Sequence, residues 1–286
     1  MTHVFRVPRI ALWLLLVMVP LVACGGGGGD SGTSGESTDG ADQSVVTSPD
    51  TNVTVFAAAS LTDALGEIGE RMTEANPAFD FTYNFAGSQQ LVTQLIEGAD
   101  ADVFASANVS QMTAAREGGV INGDPVVFTR NRLAIVVPLD NPGGITQPAD
   151  LANDDLKIVV ANEAVPVGTY TLEMLDLMSA DPAFGPDFRA NVDDNFVSEE
   201  DNVKQVVAKV QLGEADAGIV YVTDITNDVA EDVTLIEVPA QFNVIAEYPI
   251  VPVAGGNTEL AQAFIAFLLS DAGQAILADH GFTARS

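Results

Sequence analysis

From residue 51 onward the apolar positions fall into two rhythms that take turns along the chain. Val53-Thr54-Val55-Phe56 reads as a short strand, and Leu61, Leu65, Ile68 and Met72 then recur at spacings of 4, 3 and 4, one face of a helix. Phe79 to Phe85 alternates as a strand, and Leu91, Val92, Leu95 and Ile96 mark a second amphipathic helix ending at Gly98. Asp102 to Ala105 is a strand, and Ser110 to Glu117 a helix stopped by Gly118-Gly119. A β-rich stretch from Val126 to Pro138 follows, then a strand at Lys157–Ala161 and a helix at Tyr170–Met178. Val203, Val206, Val207 and Val210 line another helix. Gly218 to Tyr221, Val233 to Val238 and Val244 to Val253 are strands, before helical patterns through Leu260, Phe264, Phe267 and Leu268, then Ala275 and Ile276. Alternating strands and helices predict α/β layers with mostly parallel sheets. No solenoid-length repeat is visible.

The first 50 residues obey neither rhythm. Arg6 and Arg9 precede an apolar run, Ile10 to Val19, that continues through Pro20 to Leu21-Val22-Ala23-Cys24. A basic start, a short apolar core and a small residue before the cut describe a secretory signal over residues 1–23. The run is shorter than the ~20 residues a membrane-spanning helix needs. Cys24 is the chain's one cysteine, which excludes an intramolecular disulfide and a thiolate metal cluster. Leu-Val-Ala-Cys resembles the bacterial lipobox, which implies acylation of Cys24; a free thiol or an intermolecular disulfide is the alternative. Residues 24–50 carry five consecutive glycines among Ser, Thr, Asp and Glu, too little apolar surface to offset ordering, and read as a flexible tether.

Charge narrows the function. Forty acidic residues against 11 basic give a formal net charge of -29, and loss of Arg6 and Arg9 with the signal makes it -31. That balance argues against nucleic acid and against electrostatic adhesion to anionic lipid. Of two histidines, His3 lies in the signal and His280 beside Gly281 at a helix end, so neither a histidine metal cluster nor a Ser-His-Asp relay has material. No Gly-x-Ser-x-Gly elbow or Walker loop occurs, and runs such as Glu199-Glu200-Asp201 read as solvated faces. The chain does not read as an enzyme.

Three junctions put small or hydroxyl residues where a helix begins: Ala57-Ala58-Ala59-Ser60-Leu61-Thr62, Ala86-Gly87-Ser88-Gln89-Gln90 and Val165-Pro166-Val167-Gly168-Thr169-Tyr170. Free N–H groups and the positive end of the helix dipole make each a potential anion site. The plainer reading is that Ser60, Ser88 and Thr169 cap their helices.

In order, these blocks resemble the periplasmic molybdate-binding proteins of ABC transporters. Val55 to Ala64, Phe85-Ala86-Gly87-Ser88, Ala101 to Ala107, Val165 to Tyr170, Gly218-Ile219-Val220-Tyr221, Glu247-Tyr248-Pro249-Ile250 and Gly281-Phe282-Thr283 carry the resemblance over residues 52–283. It implies an α/β, two-lobed periplasmic-binding-protein fold of type II, each lobe a mostly parallel sheet flanked by helices. The lobes would be residues 51–130 with 248–286, and 131–247. It further implies capture of molybdate or tungstate by the hydroxyls of Ser60 and Ser88, the backbone N–H groups of Val167 and Val203, and the phenol of Tyr221. The family often has Ala in the place of Val167, and Val203 rests on its spacing to Tyr221. The implied partners are the permease and ATPase subunits of an importer and, through Cys24, the membrane. The exported chain would be a monomer without cofactor. Molybdate is a dianion without a proton at neutral pH, so its site needs donors and no carboxylate. The alternatives are another oxyanion such as sulfate or phosphate, ferric iron, or a hydrolase using Ser60 or Ser88, which would need a base beside the serine. An adhesion or structural lipoprotein with an empty cleft is the remaining one.

Overall fold

The computed structural model describes residues 51–285, so the predicted signal peptide, Cys24 and the tether at 24–50 lie outside the described residues. In chain order the elements are β1 (Asn52–Ala58), a 3-10 turn (Ala59–Leu61), α1 (Thr62–Ala75), β2 (Asp80–Ala86), α2 (Ser88–Ile96), β3 (Val103–Ala105), α3 (Val109–Glu117) and β4 (Val126–Asn131). Then come β5 (Leu133–Pro138), β6 (Ile158–Ala161), α4 (Pro166–Ser179), α5 (Phe188–Asp194), β7 (Phe196–Glu200), α6 (Val203–Gln211) and β8 (Ala217–Tyr221). The chain closes with β9 (Val233–Glu237), β10 (Ala246–Pro252), α7 (Thr258–Leu269) and α8 (Asp271–Asp279).

Continuous apolar runs become interior strands. Every residue of β5 and of β8 is buried, as strands covered on both faces require. The helices lie on them by single apolar stripes: Leu65, Ile68 and Met72 of α1, and Val203, Val206, Val207 and Val210 of α6, are buried while their other faces are wet.

The strands form two five-stranded sheets, ordered β2-β1-β3-β10-β4 and β7-β6-β8-β5-β9. In the first, β1 pairs in parallel with β2 and β3, and β10 is antiparallel to both β3 and β4. In the second, β6 is parallel to β7 and β8, and β5 is antiparallel to β8 and β9. Four of the five strands in each sheet therefore run one way and one is reversed. Each reversed strand enters from the other sheet: β4 passes into β5 through Arg132 alone, and β9 returns to β10 through residues 238–245. These two crossings join the lobes of a two-lobed α/β fold.

The expected elements are present, with three differences. The helix at Tyr170 begins earlier, at Pro166, because proline needs no N–H acceptor in a first turn. Gly168 fits there for lack of a Cβ, which would stand 2.1 Å from the Asn162 carbonyl oxygen. α5 and β7 lack a clear apolar rhythm: β7 is half-exposed throughout. Ile96, on the predicted apolar face of α2, is 53% exposed.

Candidate functional site

Both sheets present the carboxyl ends of their strands to one cleft, where open α/β sheets take ligands. β1 and β2 end at Ala58 and Ala86, and β6, β7 and β8 end at Ala161, Glu200 and Tyr221. Four helical segments start there: the 3-10 turn at Ala59, α2 at Ser88, α4 at Pro166 and α6 at Val203. Residues from all four starts line one tight cleft. Ser60 and Ser88 from the first lobe meet Val167, Val203 and Tyr221 from the second, so the structure brings together all five residues singled out in the sequence. Gly87, Ala107 and Asn202 also line it, without having been singled out for it.

Two of the helix starts at the cleft carry no side-chain cap. Asn108, Asn257 and Ser270 cap α3, α7 and α8 by accepting a backbone N–H. Before α2 and α4 stand Gly87 and Val165, which offer no capping oxygen. Their first N–H groups, with no acceptor inside the helix, point at the cleft with the positive ends of the dipoles. On α6, Asn202 caps Gln205 and leaves the N–H of Val203, the first helical residue, uncapped.

The serines do not cap their helices. The Ser88 hydroxyl oxygen accepts the Ala107 N–H at 3.1 Å, which leaves its own hydrogen to donate. Ser60 Oγ lies 2.9 Å from the Tyr248 hydroxyl, and both residues are buried. Thr169 donates to the Glu163 carbonyl at 2.8 Å, outside the cleft lining. No carboxylate or imidazole among the described residues bonds to either cleft serine. His280 meets Glu67 at 3.0 Å instead. A serine hydrolase has no base here.

Tyr221 is 1% exposed, and its hydroxyl has no hydrogen-bond partner among the described residues. The Tyr248 hydroxyl, with the two rings packed edge-on at 5.9 Å, helps to raise the Tyr221 pKa, yet the two do not meet in hydrogen-bond geometry. Burial above all holds the Tyr221 phenol well above the usual tyrosine range, so it remains a donor. A buried polar atom without a partner is rare and calls for a ligand or an explanation. No Lys, Arg, Asp or Glu lines the cleft among the described residues. Hydroxyls, N–H groups and dipole ends suit an anion that only accepts.

Beneath Tyr221, Asp224 accepts the Tyr221 N–H at 3.0 Å. Its carboxylate is fully buried, and desolvation raises its pKa to about 6 against the opposing pull of Lys204, 3.8 Å away. Three contacts span the cleft: Lys204 to Asp63 at 2.9 Å, Gln89 Nε2 to the Asp201 carbonyl at 3.0 Å, and Gln111 Nε2 to the Ala164 carbonyl at 3.1 Å.

Known proteins share this architecture. The molybdate-binding protein ModA of Mycobacterium tuberculosis is 38% identical over 232 residues, 81% of this chain and 84% of that one. A putative ABC transporter substrate-binding lipoprotein of Bacillus subtilis, YvgL, is 30% identical over 81% of this chain and 86% of its own. The solved substrate-binding domain of a putative molybdenum ABC transporter from Clostridium difficile superposes with a TM-score of 0.60 at 28% identity, covering 82% of this chain and 98% of that one. The model of the bacterial extracellular solute-binding proteins matches residues 53–283, and the chain belongs to that family.

Proposed function

We propose that this protein captures molybdate, or the similar tungstate, in its interlobe cleft and hands it to an ABC importer. The observation that carries the reading is the buried Tyr221 hydroxyl, unpartnered among the described residues, in a cleft that the uncapped starts of α2 and α4 also line. In this reading Ser60 and Ser88 donate their hydroxyl hydrogens, Val167 and Val203 their backbone N–H groups, and Tyr221 its phenol. The lobes are residues 51–130 with 248–286, and 131–247, closing on the anion by a hinge at the crossing strands. A similarity to molybdate-binding relatives supports the choice of anion.

The energetics permit tight capture. Five hydrogen bonds to a charged group supply roughly 7–15 kcal/mol gross at about 1.5–3 kcal/mol each. Micromolar to nanomolar affinity needs about 8–12 kcal/mol net, so the cleft must exclude water when closed. Sulfate is the second reading, since it too is a tetrahedral dianion that only accepts; size then separates the two.

The chain is exported and, in this reading, held as a monomer by a lipid on Cys24 through the 24–50 tether. The signal pattern and the lipoprotein relative support the anchor. Ser60→Ala and Ser88→Ala are each expected to weaken molybdate binding about tenfold or more, with folding retained. Unchanged calorimetric affinity in both variants overturns the site.

A further inference from the structure

A chain of buried hydrogen bonds runs behind Ser60. Asn131, the last residue of β4 before the crossing, accepts the Arg132 N–H on its side-chain oxygen at 2.9 Å. That bond fixes which end of the amide is which. Its Nδ2 group therefore faces inward, donating to Thr223 Oγ1 at 2.7 Å and to the Tyr248 hydroxyl at 3.4 Å. Asn131 and Tyr248 are 1% and 0% exposed, so water does not complete the set.

The direction of the next bond follows by elimination. An amide nitrogen only donates, so Tyr248 must place its hydrogen elsewhere. Among the described residues, the acceptor it meets is Ser60 Oγ at 2.9 Å. The reverse polarity, Ser60 donating to Tyr248, would strand the Tyr248 hydrogen in a dry site. Burial, the largest influence, keeps the Tyr248 phenol protonated and thus a donor. Ser60 accepts from behind and has its hydrogen free for the cleft.

We propose that Tyr248, aimed by Asn131, is a specificity-determining positioning residue: it locks Ser60 as a donor and so excludes oxyanions that carry a proton. This deepens the oxyanion reading above and rests on it. A protonated anion needs an acceptor, and Ser60, already accepting from Tyr248, can serve on its second lone pair only by turning its own hydrogen off the anion, which orphans that hydrogen or, where it turns back toward Tyr248, the tyrosine hydrogen. Ser88 is held the same way by the Ala107 N–H, a backbone donor that cannot reverse. The relay behind Ser60 is the one a side-chain change can alter. Asn131 lies on the crossing strand and its other partner, Thr223, follows β8 of the second lobe, so the relay also joins the lobes.

Sulfate and hydrogen phosphate isolate the proton, being alike in shape and size while phosphate alone carries one near neutral pH. The experiment displaces molybdate from the full-length mature protein with each anion by competition calorimetry, in wild type, Tyr248→Phe and Asn131→Asp. Tyr248→Phe keeps the ring that packs on Phe128, Tyr221 and Phe282 and removes only the oxygen. Asn131→Asp turns the donor into an acceptor, draws the Tyr248 hydrogen away and lets Ser60 donate backward while accepting from the anion, so the phosphate-to-sulfate ratio of Kd is expected to fall about tenfold, the cost of one stranded polar group. In Tyr248→Phe a Ser60 hydrogen turned backward meets no acceptor, so the ratio should stay near that of wild type, and the Asn131→Asp/Tyr248→Phe double variant, which keeps the charge but lacks the relay, should restore it. A ratio unchanged in folded Asn131→Asp, or lowered equally in the double variant, overturns the role of Tyr248. Failure of wild type to bind any of the three anions instead overturns the oxyanion reading itself.

Discussion

Gly87 offers a test of closure that leaves every donor in place. It precedes α2 with φ -60° and ψ 137°, ordinary extended backbone, so alanine fits its conformation without strain. A Cβ there would stand 2.4 Å from the Asp201 carbonyl oxygen of the opposite lobe. It would also stand 2.5 and 2.6 Å from the Gln89 amide, but that side chain can swing aside. The carbonyl is backbone and moves only with its lobe. Ordinary contact begins at 3.4 Å, so the lobes must part locally by about 1 Å. Val203 lies two residues beyond Asp201. A hydrogen bond of about 2.9 Å lengthened by that much falls outside the range in which N–H···O bonds form. Loss of one such bond to a charged anion costs about 1.5–3 kcal/mol, or roughly 10- to 150-fold in Kd. Gly87→Ala is therefore expected to weaken molybdate binding by that factor in calorimetry. The melting temperature of the anion-free protein should hold, because an open cleft accommodates the methyl. Gly66→Ala, with nothing within 4 Å of the added Cβ, is the control and should leave affinity unchanged. Wild-type affinity in Gly87→Ala would refute the contact as a limit on closure.

Two further predictions follow from buried groups at the same site. Tyr221→Phe deletes a hydroxyl with no partner among the described residues, so binding should weaken about 10-fold or more while the anion-free protein melts no lower than wild type; a drop in melting temperature with unchanged affinity would reassign Tyr221 to the core. Asp224 has a folded-state pKa raised from 3.8 to about 6, so it destabilises the fold as pH rises through that window and not below it. Asp224→Asn keeps an acceptor for the Tyr221 N–H, and its stability advantage over wild type should grow by about 2 kcal/mol between pH 4 and 7, at 1.36 kcal/mol per pKa unit. Chemical denaturation at those two pH values measures it, and a constant difference would contradict the buried, charged Asp224.

The stripe Leu61, Leu65, Ile68, Met72 was legible because a two-layer sheet buries one helix face, and the four valines of α6 were legible for the same reason. α5 and β7 were not, since Phe188 and Val192 are the only buried residues in the former and the latter lies at a sheet edge. The small-residue junctions announced helix starts, but whether Ser60 and Ser88 capped them or faced a cleft depended on partners far along the chain. Tyr248 is 188 residues from Ser60 and Ala107 is 19 from Ser88. The same distance hid the Asn131 relay, although Tyr248 stood within a recognised block. Local pattern reports which face is buried; hydrogen-bond direction arises only when the lobes assemble.

Calorimetry of the mature protein with molybdate, tungstate, sulfate and phosphate tests the central claim most directly. The account predicts tight binding of molybdate or tungstate, weaker binding of sulfate, which differs from molybdate chiefly in its smaller size, and the weakest of phosphate because it carries a proton. Sulfate bound as tightly as molybdate would contradict the anion assigned, and heat from none of the four would contradict the cleft as an oxyanion site.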